Sequence, residues 1–182
     1  MPETSSPQEL IRLAMAAYQA EEYATALEGF QAAEQMFAES GDTLSAAETA
    51  NNRSVVLLKA GRAQEALDAA QGTDQIFAQA GDTRRQAVAL SNQAAALEDL
   101  HQWQPALELY TRASELFKAA GEKDMRAYVL QRISALQLRT GQHLESLVSM
   151  DTALDNKPKL TIKDRILKGL FGKVFRMISG KN

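Results

Sequence analysis

Arginine and asparagine recur at one fixed spacing in this chain, and the chemistry they offer is recognition. Steps of forty residues give Arg12, Asn52, Asn92 and Arg132, and the positions just before them read Ile11, Asn51, Ser91 and Gln131. A side-chain amide donates and accepts at once, which suits a peptide bond whatever side chain follows it. A guanidinium adds a fork for carboxylates. Three positions further along, Met15, Val55, Ala95 and Ala135 supply an apolar floor.

Reaction chemistry finds no such support. Cysteine is absent, so there is no thiolate nucleophile, no disulfide framework and no Cys-ligated zinc. His101 and His143 stand at equivalent turn positions without an HxxxH or HExxH spacing, too few ligands for a metal that needs about three or four. No phosphate-cradling GxxxxGK[ST] or GxGxxG occurs, nor a GxSxG nucleophile elbow. Glu21 and Glu22 read as solvated turn residues. We expect no catalytic residue, no cofactor and no metal, hence a chain that is not an enzyme.

The elements that position the polar rows follow from punctuation at the same period. Gly41-Asp42, Gly81-Asp82 and Gly121-Glu122 are forty residues apart, and Gly61, His101 and Gly141 fall midway between successive marks or beyond the last. Glycine tolerates the left-handed conformation that ends a helix, and the acid after it can cap the next one. Each repeat is thus helix, turn, helix. Ser6-Pro7-Gln8-Glu9 opens the first helix with a capping box and Pro at its first position. Between marks the apolar residues step by three and four, as in Leu90, Ala94, Leu97 and then Ala106, Tyr110, Ala113. Ala14, Ser54, Ala94 and Ser134 repeat one small residue where paired helices must approach closely.

Leu10, Leu13-Ala14, Ala17, Ala26, Phe30 and Ala33 together resemble the tetratricopeptide (TPR) signature, and later copies repeat the pattern. The forty-residue period is similar to the long repeats of kinesin light chains and Pins-type scaffolds. Tyr23 and Trp103 fit as packing aromatics that open second helices. Arg53, Thr73, Gln93 and Gln137 depart from the pattern. The resemblance implies an all-α fold, a right-handed α-α superhelix of four helix pairs plus a C-terminal amphipathic helix. Its parts are a 1–6 extension, repeats at about 7–40, 41–80, 81–120 and 121–156, and a basic helix in 157–182. It also implies a concave face on which Arg12, Met15, Asn51, Asn52, Val55, Ser91, Asn92, Gln131 and Arg132 hold a peptide or helix, with acidic residues of the partner meeting the arginines.

Charge separates the last segment from the rest. Up to residue 156 there are 12 basic and 22 acidic residues, and from Lys157 onward eight basic and one acidic. An acidic body opposes duplex nucleic acid as a partner. Thr161 and Asp164 form a capping box for a helix running from Ile162 to about Ser179. On a helical wheel Ile166, Leu167, Leu170, Phe171, Val174, Met177 and Ile178 share one side and Arg165, Lys168, Arg176 and Ser179 the other, with Lys163, Lys173 and Phe175 also in the candidate contact surface. Such a helix can lie on an anionic membrane, cap the end of the stack, or dock on a neighbouring copy to give a homo-oligomer. No signal peptide or membrane span is visible, so the expected place of work is the cytoplasm or the cytoplasmic face of a membrane. The expected function is a non-catalytic adaptor or assembly scaffold.

Overall fold

The computed structural model describes residues 6–178, which divide into two compact units meeting between Leu109 and Tyr110. The first unit contains α1 (Pro7–Gln19), α2 (Tyr23–Glu39), α3 (Thr43–Lys59), α4 (Ala63–Ala70), α5 (Thr73–Gln79) and α6 (Thr83–Asp99). Helix α7 (Trp103–Ala119) spans the boundary, and the second unit continues with α8 (Lys123–Arg139), α9 (His143–Asn156) and α10 (Ile162–Ile178). No strand occurs among the described residues.

The repeated turns form as their residues dictate. Gly41 has φ +78°, which lets its N–H reach Ala38 O at 3.1 Å while Asp42 N–H reaches Phe37 O at 2.9 Å. The last carbonyls of α2 are thereby satisfied. Asp42 and Asp82 then cap the next helices by accepting from Ser45 N–H at 3.0 Å and Arg85 N–H at 2.8 Å. Glu122, one methylene longer, makes no such side-chain cap. Glu21 and His101 take the same left-handed conformation with φ of 61° and 60°, without the freedom of glycine. Of the expected Ser6–Glu9 box the Ser6 half forms, with Oγ accepting from Glu9 N–H at 3.2 Å while the Glu9 carboxylate binds Arg12, and the reciprocal Thr161–Asp164 box (2.9 and 3.2 Å) forms as expected.

Between turns, the apolar steps become the packed interior of each unit. Ala14, Ala17, Ala26, Phe30, Val56, Leu57 and Ala66 are buried together in the first unit. A Cβ placed on Gly29 would lie 2.9 Å from Ala14 Cβ, so α1 and α2 meet closer than two side chains allow. In the second unit the small residues meet through hydroxyls: Ser134 Oγ donates to Ser146 O and Ser146 Oγ to Ser134 O, each at 2.9 Å, clamping α8 to α9.

One element differs from the expected four continuous helix pairs. The second helix of the second repeat is interrupted at Gln71 and Gly72, giving α4 and α5 in place of one helix. Gln71 is extended, with ψ 129°, and Gly72 is left-handed, with φ +80°. The break exposes backbone groups that need partners, and the residues departing from the repeat pattern supply them. Thr73 Oγ1 donates to Ala70 O at 2.7 Å, and Gln93 Nε2 donates to the same carbonyl at 3.2 Å and to Asp74 Oδ1 at 2.9 Å. Asn51 Nδ2 reaches Thr73 Oγ1 at 3.1 Å. All four side chains are buried. Arg53 closes a fork on Glu34 at 2.8 and 3.2 Å, and in the second unit Gln137 accepts from Ser149 Oγ at 2.8 Å. The departures are therefore the polar cross-links of the interior.

Candidate functional site

The polar rows rest on the first helices of the helix pairs. In the first unit, α1 carries Arg12 and Met15, α3 carries Asn51, Asn52 and Val55, and α6 carries Ser91 and Asn92. Arg12 and Met15 are exposed, whereas Asn52, Val55 and Asn92 are half-buried. A depression of about 230 Å³ opens beside this face, lined by Gln8, Ile11, Phe37, Ser45, Glu48, Thr49 and Asn52.

Adjacent asparagines have different fates. Asn51 points inward and spends its amide N–H groups on Ala47 O (3.2 Å) and Thr73, while its Oδ1 accepts from Asn92 Nδ2 at 3.3 Å. Ser91 is also buried and donates to Ala87 O at 2.8 Å. Asn52, at the edge of the depression, has no hydrogen-bond partner among the described residues. One helical position turns a side chain by about 100°, enough to move an amide from the core to the groove.

Charge is arranged around the groove. Arg12 binds Glu9 on its own helix through both carboxylate oxygens (2.9 and 2.6 Å), a pairing that lowers the Glu9 pKa and raises that of Arg12. The pair is exposed and screened by solvent, so it is weak and a better carboxylate can displace Glu9. Glu48 accepts from Arg85 Nη1 at 3.0 Å, and Arg85 also grips Asp82 and lies 5.1 Å from the centre of the Phe77 ring. Hydrogen bonds from the Arg85 backbone and side chain hold the Asp82 carboxyl below its ordinary pKa.

In the second unit, Gln131 and Arg132 lie half-buried on α8. The C-terminal candidates share α10, with Lys163, Arg165, Ile166, Leu170, Lys173, Arg176 and Ile178 exposed and Phe171 buried. Leu167, Lys168, Val174 and Phe175 are half-buried. Lys168 bonds Asp155 of α9. Lys157 donates to Asp164 at 2.9 Å, and with the Thr161 N–H it brings the Asp164 pKa down to about 2.

Sequence reasoning missed Gln8, Ser45, Glu48 and Thr49 as groove residues. The signal was present, since they precede Ile11 and Asn52 by helical steps of three, four or seven residues on the same stripe. It also missed a cavity of about 400 Å³ beside the helix break, whose lining includes Glu34, Arg53, Asp68, Gln71, Thr73 and Ile76. Among the described residues, no three of His, Asp and Glu come together as a metal site would require. His101 instead meets the Trp103 ring at a tilt, with 4.9 Å between ring centres.

No protein-family model matches this chain, and no curated protein matches it. Solved structures do. BtubC from P. vanneervenii is 16% identical with a TM-score of 0.75, covering 96% of this chain and 73% of its own. The MamA RS-1 double mutant is also 16% identical, with a TM-score of 0.65 over 85% of this chain and 76% of its own. A Podosopora anserina kinesin light chain with nearly identical TPR-like repeats is 14% identical, with a TM-score of 0.55 over 98% and 97%. The fold is accordingly TPR-like: all-α, with helices packed pairwise as a solenoid. Among the described residues no helix is long and apolar enough to cross a membrane.

Proposed function

We propose that this chain is a non-catalytic adaptor whose first unit holds an extended peptide along α1, α3 and α6. The observation that carries the reading is the Asn52 amide, half-buried at the edge of the Ile11 depression and making no side-chain hydrogen bond among the described residues. Its polar atoms stay open to solvent, where a ligand can reach them, and a peptide main chain supplies a donor and an acceptor together. Asn92 keeps its Oδ1 for the same peptide while its amide N–H leans on Asn51. Met15 and Val55 give the apolar floor. Arg12, whose Glu9 partner is exposed, offers its guanidinium group to an acidic residue of the partner. The α10 helix recruits this scaffold to an anionic membrane surface, a reading supported by its exposed basic and apolar residues.

Peptides selected from a displayed random library on the full chain test the groove. Asn52→Ala should weaken the selected peptides by about three- to tenfold, the worth of one hydrogen bond, with unfolding unchanged. Selected peptides that bind Asn52→Ala and Asn92→Ala as tightly as the parent would refute the assignment.

A further inference from the structure

The α10 helix has two apolar strips. Phe171 is only 6% exposed, and its ring packs 6.5 Å from that of Phe175. Leu167 and Val174 are half-buried on the same side, and α10 touches α9. At 100° per residue, Ile162, Ile166, Leu170 and Met177 form a separate strip. Their exposures are 78%, 60%, 52% and 74%, so no described residue of the unit covers them. Lys173 sits within that strip, Arg165 and Arg176 along one edge and Lys163 along the other, all exposed.

We infer that α10 does two jobs at once: its Phe171 strip stays on α9 as a cap, while Ile162, Ile166, Leu170 and Met177 enter the interface of an anionic bilayer. The inference rests on the membrane reading above and adds which side chains insert. Helices of this kind lie in the interface plane with basic residues at headgroup level. Residues 110–182 hold 14 basic and seven acidic residues, whereas residues 1–109 hold six basic and 16 acidic. The second unit is thus the cationic one, and its attraction to an anionic leaflet acts within a Debye length.

A second copy of the chain is the rival occupant. Opposite charges would steer α10 toward the first unit of a neighbour, but an apolar strip also needs an apolar complement. Among the described residues, the first unit exposes Leu13 and Met15 and no other large hydrophobic side chain, and the exposed Tyr128, Leu138, Leu144 and Val148 belong to the second unit, whose like charge would repel α10 of another copy. A bilayer needs no matching shape.

The test is flotation of the full chain with phosphatidylserine-containing and purely phosphatidylcholine vesicles, beside light scattering of the same samples. The parent should float only with the anionic vesicles. Ile166→Asp/Leu170→Asp should reduce partitioning at least tenfold, and Lys173→Glu at least fivefold, since each basic residue near an anionic leaflet is worth about 1 kcal/mol. Both variants replace exposed residues, so circular dichroism and binding of the selected peptides should match the parent. If the parent does not float, the membrane reading itself fails. If the parent floats and the double variant floats equally, recruitment stands and the strip assignment is overturned. Oligomers of the parent that the double variant dissolves, without flotation, would assign the strip to a second copy and overturn the inference.

Discussion

Replacing Gln93 with leucine tests whether the helix break is held by its polar cross-links. Gln93 and Asp74 are 9% and 8% exposed, and the Gln93 amide is the donor the structure gives to the Asp74 carboxylate. Leucine fills nearly the same space, so no large cavity complicates the result. The Ala70 carbonyl keeps the Thr73 hydroxyl, but Asp74 loses its bond. A hydrogen bond to a charged group is worth about 1.5–3 kcal/mol, and leaving the buried carboxylate unsatisfied places the cost at about 2–3 kcal/mol. For a unit of this size that lowers Tm by about 8–12 °C. Unfolding in heat and urea, followed by circular dichroism and by the single tryptophan, Trp103, reads the change. Gln93→Leu/Asp74→Leu removes both partners and should recover much of the loss, because an apolar pair leaves nothing unpaired. A cost under about 0.5 kcal/mol for Gln93→Leu, or a double variant no more stable than the single one, would refute the reasoning.

Glu21→Gly should stabilise the first unit by about 0.5–1 kcal/mol, because glycine relieves the left-handed strain and returns part of the gain as chain entropy. His101→Gly should gain less, since it also gives up the Trp103 ring contact, and destabilisation by Glu21→Gly would contradict the backbone assignment. At the start of α10, the Asp164 pKa lies at about 2 in the folded chain against an ordinary 3.8, held down by Lys157 and the Thr161 N–H. A depressed acid stabilises above its unfolded pKa, so this contribution is complete above about pH 4 and is lost as pH falls toward 2. Hydrogen exchange at Thr161 should accelerate across that window in the parent, and Asp164→Asn should show no such step.

The repeat frame was legible because it is written in local chemistry. Gly41, Gly81 and Gly121 stop helices by backbone conformation alone, and Asp42 and Asp82 reach only to their own first turns. What the sequence withheld depends on contacts across many residues. The bonds from Asn51 to Thr73, Gln93 to Asp74 and Asn92 to Asn51 span 22, 19 and 41 residues. Asn51 and Asn52 are the same residue type in the same row, and only the direction of α3 decides which amide is spent inside. Gly72 lies within an otherwise helical pattern, where glycine can equally be tolerated or end a helix. On α10 the wheel gives one broad apolar side. Contact with α9 covers only the part around Phe171, and that division cannot be read from periodicity.

A chain made of similar segments runs a risk that unlike segments avoid, since a helix can stack against the wrong copy of its neighbour. The Arg53–Glu34 and Gln93–Asp74 pairs occupy equivalent positions forty residues apart, and the next equivalents are Ile133 and Ser114. Each step therefore carries a different lock and key. Shifted by one repeat, the Asp74 carboxylate would face an isoleucine and Glu34 a glutamine in place of its arginine. The first of these mismatches leaves a buried charge without a partner, among the costliest defects a protein interior can hold. Side chains that weaken the repeat signature thus distinguish one repeat from the next, and they make mis-threaded stacking unfavourable during folding.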